Sequence, residues 1–252
     1  AVDSGASRIV VGVGGTGTSD GGAGLLAGLG ARCAQGELTS GGGQLAGVAG
    51  LDLTEALKAT AGTTIEVATD VDVPLLGPRG AARGFAPQKG ATPEQVEQLE
   101  EALRRWAHQL GRTDDGRAPA VALGAGAGGG IGAALLRLGA QRVAGIATVL
   151  EASGVAGLLR AQPRAVDLVV TGEGSFDWQS LQGKVIAGVA AASLEHAIPV
   201  IVLAGRVEVT RREWITAGIS AAFAGAPAEG QTPAEGLAAA AARAARTWSR
   251  SR

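Results

Sequence analysis

Residues 166–205 read VDLVVTGEGSFDWQSLQGKVIAGVAAASLEHAIPVIVLAG. The run Val166-Asp167-Leu168-Val169-Val170 has the apolar, β-branched character of a buried strand. A loop over Thr171–Gly183 is expected next, then a helix from Lys184 to His196, then a strand over Pro199–Leu203 that ends at Ala204-Gly205. Strand, loop, helix and strand at this spacing predict a parallel sheet covered by helices. Ile219–Phe223 reads as another strand and Glu235–Trp248 as a closing alanine-rich helix. The fold class is therefore α/β. In such sheets ligands gather at the carboxyl ends of the strands.

Toward the amino end the pattern is punctuated by glycine. Arg8–Val11 reads as a short strand running into Gly12, Gly14, Gly15 and Gly17. A helix over Gly21–Leu29 follows, capped by Ser19 or Asp20 and ended by Gly30. Gly41–Gly43 reads as a loop, Leu45–Lys58 as weakly helical, and Thr64–Thr69 alternates like a strand. Asp70–Lys89 carries three prolines and three glycines and reads as an irregular stretch long enough to suggest function. Pro93–Leu110 is the clearest helix. Thr92 is its N-cap, Gln95 completes a capping box, and Val96, Leu99, Leu103, Trp106 and Leu110 form one buried stripe. Ala120–Leu123 reads as a buried strand that meets Gly124–Gly130 and a helix through Leu138. Regular βαβ pattern takes over near residue 150, which divides the chain into 1–150 and 151–252.

Composition narrows the class. The 252 residues include no methionine, so Ala1 is not expected to be a native start. The 42 glycines lack the strict period of collagen. With 46% hydrophobic residues and a net charge of −1, the chain is folded rather than disordered. Aromatic residues at 3% argue against base stacking, and the near-neutral charge argues against a nucleic-acid partner. Cys33 is alone and reads as a small apolar filler, which fits a reducing, cytoplasmic setting. His108 falls beside the helix stripe with no second His or Cys nearby, so it is not expected to hold a metal. No stretch approaches a membrane span of about 18 apolar residues, and no signal peptide opens the chain. A soluble enzyme acting on a small molecule remains.

Three stretches carry chemistry. Gly12-Val13-Gly14-Gly15-Thr16-Gly17 matches G-x-G-x-x-G after a strand, where glycines let backbone N–H groups approach a phosphate. Gly124-Ala125-Gly126-Ala127-Gly128-Gly129 fits the same expression. The competing reading of each loop is close helix–strand packing. A nicotinamide-dependent oxidoreductase would also want an acid at a second strand end about twenty residues on. Glu37 has the distance, but Ala34–Glu37 is not strand-like. Gly183-Lys184 is followed by valine and lacks the upstream glycine of a P-loop. The third stretch, Thr171–Ser180, gathers Glu173, Asp177, Gln179 and hydroxyls at a strand end, with Lys184 opening the next helix. Such acids hold Mg²⁺ or accept a proton, and lysine neutralises phosphate. Helix capping competes for Asp177 and Ser180, a solvated amine for Lys184, and an N-cap for Asp20.

Taken together the residues resemble a family. Gly14-Gly15-Thr16-Gly17-Thr18-Ser19-Asp20-Gly21-Gly22 resembles the G-G-S-A-T-N-D-G-G signature of bacterial glycerate kinases. Asp70–Leu75 is similar to their D-V-T-N-P-L, Phe85–Ala91 to F-G-P-Q-K-G-A, and Gly124–Gly132 to G-A-G-A-A-G-G-L-G. Asp167–Lys184 resembles D-L-V-I-T-G-E-G-R-I-D-x-Q-T-x-x-G-K, with Ser175-Phe176 in place of Arg-Ile. Five motifs in order are far more specific than either glycine expression alone.

The resemblance implies ATP-dependent phosphorylation of D-glycerate with Mg²⁺, with 2-phosphoglycerate the favoured product. It implies a Rossmann-like parallel-sheet domain carrying an inserted three-layer α/β domain, with the site in the cleft between them and an amino-terminal region ahead of Ala1. Residues 1–150 would be the inserted domain and 151–252 the carboxyl-terminal part of the Rossmann-like one. Asp20, Asp177 and Lys184 would be catalytic, with Glu173 and Asp177 as metal ligands. Gly14, Gly15, Thr16, Thr18, Ser19, Asp70, Gln88, Lys89, Gly126, Gly128, Gly129, Glu173 and Gln179 would bind substrate or phosphate. A degenerate, non-catalytic paralogue that binds a small anion is the other reading within this resemblance.

Overall fold

The computed structural model describes residues 1–181 and 185–248. The chain forms two compact units, Ala1–Gly145 and Ile146–Arg252. Both are α/β with a parallel sheet, as expected.

In the first unit, β1 (Arg8–Gly12) leads to α1 (Ala23–Gly28), β2 (Arg32–Gln35), β3 (Ala49–Asp52), α2 (Thr54–Thr60) and β4 (Thr64–Ala68). Then come α3 (Ala81–Phe85), α4 (Pro93–Leu110), α5 (Ile131–Arg137) and β5 (Gln141–Val143). The parallel sheet has the order β1-β4-β5, with Ile9 opposite Ile65 and Val67 opposite Arg142. α4 forms as its signals predict, with the reciprocal Thr92–Gln95 capping box present and Val96, Leu103, Trp106 and Leu110 buried. Its stripe packs into the main core with Leu26, Leu45, Leu75 and Ala134.

Four expectations fail in this unit. Ala34–Glu37, expected not to be strand-like, begins inside β2, and the stretch 70–89, expected to be irregular, contains α3. Leu45–Lys58 is not one helix, because β3 pairs antiparallel with β2 through Cys33 and Leu51, and α2 starts only at Thr54. Gly50 sits at φ +66, where a Cβ would lie 2.8 Å from Ala34 Cβ, so glycine serves the ribbon rather than a helix. Ala120–Leu123 is not a buried strand. Its N–H groups close local turns, Val121 to Ala118 O and Ala122 to Pro119 O, both at 3.2 Å, leaving no ladder to join. Val121 and Leu123 are 77% and 62% exposed.

The second unit runs α6 (Gly145–Ala152, which begins on the last residue of the first), α7 (Val155–Arg160), β6 (Val169–Phe176), α8 (Val185–Leu194), β7 (Val200–Val207), α9 (Arg211–Thr216), β8 (Ala221–Ala224) and α10 (Pro233–Trp248). Its parallel sheet has the order β6-β7-β8. Phe176, Ile186, Val202 and Ile219 make a core beneath it. Here the expected loop is shorter than its glycines suggest, since β6 continues through Phe176, paired with Val207. Gly172 belongs to the sheet because a Cβ there would lie 2.1 Å from the Leu203 carbonyl. The close approach of β7 demands glycine, and Glu173 therefore stands on a strand, with only Asp177 onward in the loop.

Candidate active site

In the first unit the two glycine loops lie backbone against backbone. Gly21 N–H donates to Gly129 O at 3.0 Å, and Gly126 N–H donates to Val73 O at 2.9 Å. A Cβ on Gly129 would sit 2.0 Å from Thr18 O, and one on Gly126 would sit 2.1 Å from Pro74 O. Gly128 is at φ +61, and its Cβ would reach Val13 Cβ at 3.0 Å. Packing alone thus accounts for glycine at 126, 128 and 129. Gly126→Ala is expected to destabilise the protein by about 1–3 kcal/mol through overpacking, read as a lower urea midpoint. An unchanged midpoint would show that the Pro74 segment moves aside without cost.

The first loop divides into two arms. Its later arm is held at every turn. The Asp20 carboxylate, 8% exposed, accepts from Gly22 N–H at 3.0 Å and Gly24 N–H at 3.1 Å. Asp20 is not the N-cap of α1, which is Gly22, but its carboxylate fastens the loop to the first turn from two residues upstream. The Lys89 ammonium donates to Thr18 O and, at 3.5 Å, to Ser19 Oγ. Burial pushes the Lys89 pKa below the ordinary lysine value, against the opposing pull of Asp20. Thr18, Ser19, Lys89 and Gln95 border a recess of about 340 Å³ floored in part by Leu99.

The earlier arm is open. Thr16 Oγ1 donates to Val13 O at 2.8 Å. At Gly12, Gly14 and Gly17 a Cβ would meet nothing within 4 Å, and none of the three has a positive φ. Neither clash nor backbone strain explains glycine there. Gly15 differs, since its φ of +70 itself favours glycine. Glycine at 12, 14 and 17 leaves the space beside this arm free of protein atoms.

The remaining predicted residues are spread out. Asp70 follows β4, and its Oδ1 accepts from Gly145 N–H at 2.9 Å. Gln88 is exposed beside Lys89. Glu37, the acid wanted by a dinucleotide site, is engaged by the Thr39 and Ser40 hydroxyls at 2.9 and 2.7 Å. The strand before it, β2, pairs with β3 and not with β1, so β1, the first glycine loop and β2 do not make a dinucleotide-type βαβ unit.

In the second unit, Asp177 Oδ1 accepts from Gln179 N–H at 2.8 Å and Ser180 N–H at 3.3 Å. That is capping geometry. Glu173 is partly buried, and among the described residues its Oε1 has no hydrogen-bond partner. Lys184 lies outside the described residues. No group of three or more His, Cys, Asp and Glu gathers among the described residues, and no helix of theirs is long and apolar enough to cross a membrane. Sequence reasoning placed Trp106 in the core stripe but missed its tie to the first loop, a 2.9 Å hydrogen bond from its indole N–H to Gly21 O. Helical spacing signals burial and says nothing about where the nitrogen points.

The five motifs agree with the family that the chain matches. The family model for the glycerate kinase family covers residues 1–250. The chain belongs to the glycerate kinase family. It is 38% identical to the glycerate kinase of Bacillus subtilis strain 168 over 239 residues, 93% of this chain and 61% of that protein. It is 39% identical to the glycerate 2-kinase of Escherichia coli K12 over 209 residues, 81% of this chain and 54% of that protein. A crystal structure assigned to a glycerate kinase 2 from Salmonella typhimurium LT2 aligns with a TM-score of 0.76 at 37% identity, covering 98% of this chain and 65% of that one. The chain therefore spans between 54% and 65% of the length of these family members.

Proposed function

We propose that the protein takes part in ATP-dependent phosphorylation of D-glycerate, in which the glycerate hydroxyl oxygen attacks the γ-phosphorus of ATP and ADP leaves. The open arm Gly12–Gly17 carries this reading. Its glycines leave room that no protein atom uses, and phosphoryl transfer needs backbone N–H groups and positive charge placed around phosphate more than covalent chemistry. Gly14, Gly15, Thr16, Thr18 and Ser19 are assigned to phosphate, and Lys89 to an anionic group of ATP or glycerate. Gly128 and Gly129 pack against that loop at Val13 and Thr18, and Gly126 packs against Pro74. Asp70, Gln88 and Gln179 are assigned to substrate, and Asp20 to holding the loop. Lys184 is assigned to phosphate on its motif alone.

The residues present fit Mg²⁺. Glu173 has a buried carboxylate oxygen without a partner among the described residues, and Mg²⁺ characteristically takes one or two carboxylates together with water and substrate phosphates. Glu173 would hold the ion, which when bound neutralises charge on the transferring group, and Asp177 is assigned to it on the motif alone. Asp177 also orders the turn that follows β6, and either it or Glu173 would take the hydroxyl proton. We read residues 1 to about 150 as the inserted domain and the remainder to 252 as part of the Rossmann-like one, a division close to that between the two compact units.

The glycerate 2-kinase among the relatives supports transfer to the 2-hydroxyl. The test is ³¹P NMR of the full-length protein with ATP, Mg²⁺ and D-glycerate. Appearance of 2-phosphoglycerate with stoichiometric ADP is expected. The 3-isomer would correct the position, and absence of any phosphoglycerate would remove the activity.

A further inference from the structure

We infer that Trp106 is a positioning residue for the phosphate loop, acting as a latch on a single peptide group. The inference rests on the reading of that loop as the phosphate site. Trp106 is fully buried on α4, and its indole N–H donates to Gly21 O at 2.9 Å. The carbonyl of Gly21 and the N–H of Gly22 belong to one planar peptide unit. That N–H is the group held by the Asp20 carboxylate at 3.0 Å. Trp106 and Asp20 therefore grip opposite ends of the same plane.

This plane is one that would otherwise turn easily. It joins Gly21 at φ +64 to Gly22 at φ +78, and glycine adopts either sign of φ at little cost. Rotating a peptide between two glycines meets no Cβ of its own, so side-chain contacts from outside must select the orientation. Glycine is also required at both positions for space. A Cβ on Gly21 would lie 2.3 Å from the Trp106 ring, and one on Gly22 would lie 2.5 Å from Ala134 Cβ. The pair is thus forced to be glycine by packing, and Trp106 removes the freedom that glycine brings. When the indole donor is lost, the Gly21 carbonyl is left buried without it, and the plane turns to recover a partner. Gly22 N–H then leaves Asp20, whose carboxylate keeps Gly24 N–H. The preceding peptide is tied to the second glycine loop, since Gly21 N–H donates to Gly129 O.

A latch of this kind acts on geometry in the transition state more than on affinity, since misplacement by about 1 Å costs up to about a hundredfold in rate. The experiment replaces Trp106 in the full-length protein with benzothienylalanine, which keeps the ring shape and lacks the N–H, and separately makes Trp106→Phe. Leu110→Val, one helical turn further along the same buried face of α4, serves as the packing control. Steady-state kinetics and NMR amide exchange at Gly22 and Gly24 are measured for each.

Both Trp106 variants are expected to lower kcat about tenfold with KM for ATP and glycerate within about twofold. Exchange at Gly22 is expected to rise about tenfold or more, while Leu110→Val changes neither. Unaltered exchange at Gly22 in the benzothienylalanine protein overturns the latch, whatever the kinetics. Faster exchange with normal kcat, in a protein that Gly14→Val disables, leaves the loop as the site and overturns the positioning role alone. Normal kinetics for Gly14→Val as well would show that the loop is not the site, and the inference would fall with the reading beneath it.

Discussion

Glu173→Gln is expected to lower turnover by about two orders of magnitude, the scale of a lost acid–base or metal-held carboxylate, without lowering the thermal midpoint. The side chain stands on β6, where the sheet fixes its backbone against Ala204. Its Oε1 is buried and has no partner among the described residues. A buried acceptor left unsatisfied costs about 1–3 kcal/mol, so a residue kept only for stability would gain from becoming neutral. Glutamine has the same shape and lacks the charge. A stability requirement and a chemical one therefore predict opposite results. If Glu173 meets Mg²⁺, the variant should also need more Mg²⁺ to reach half of its residual rate. Full turnover at an unchanged Mg²⁺ requirement would make the orphaned oxygen a packing feature and pass the metal role to other groups.

Local signals carried the parts of the fold that local chemistry determines. Thr92, Pro93 and Gln95 mark the start of α4, and the structure shows the capping box they predict. Glu100 on the same helix could not be read that way. A glutamate within a helix is taken as solvated, yet this one is 1% exposed, because its Oε1 accepts from Gly77 N–H at 2.8 Å. The partner lies 23 residues away in an irregular segment, and no spacing rule points to it.

Glycine misled for the same reason. Gly172 and Gly174 look like a loop until β7 supplies the carbonyl that leaves no room for a Cβ at 172. In the candidate site the family motifs brought Gly14, Gly126 and Gly129 forward together. Only the surroundings separate Gly126 and Gly129, which packing requires, from Gly14, which it does not. Asp20 and Asp177 were legible as acids with two possible roles. Their backbone N–H partners show capping at Asp177 and, at Asp20, a hold on Gly22 ahead of the helix.

That separation selects the variants with which to test the loop. Gly14→Val and Gly17→Val are each expected to weaken ATP binding about a hundredfold while leaving stability within about 0.5 kcal/mol. Neither position has a positive φ, and a Cβ at either meets no protein atom within 4 Å, so folding has no reason to resist the substitution. Restricting the unfolded chain would even offset part of any loss. A branched side chain would instead occupy the space through which a phosphate approaches the loop N–H groups. Two charge-assisted hydrogen bonds at about 1.5–3 kcal/mol each exceed the roughly 2.7 kcal/mol that a hundredfold change in affinity represents.

Gly15→Val is the contrasting case. At φ +70 a valine is strained by roughly 1–2 kcal/mol, so it should lower the midpoint as well as binding, and its binding loss alone would prove nothing. Calorimetric titration with ATP and thermal melts on the three full-length variants give both quantities. Normal affinity in stable Gly14→Val and Gly17→Val proteins would mean that the open arm faces no phosphate, and that the anion is met by Lys89 and the recess beside Thr18 and Ser19 instead.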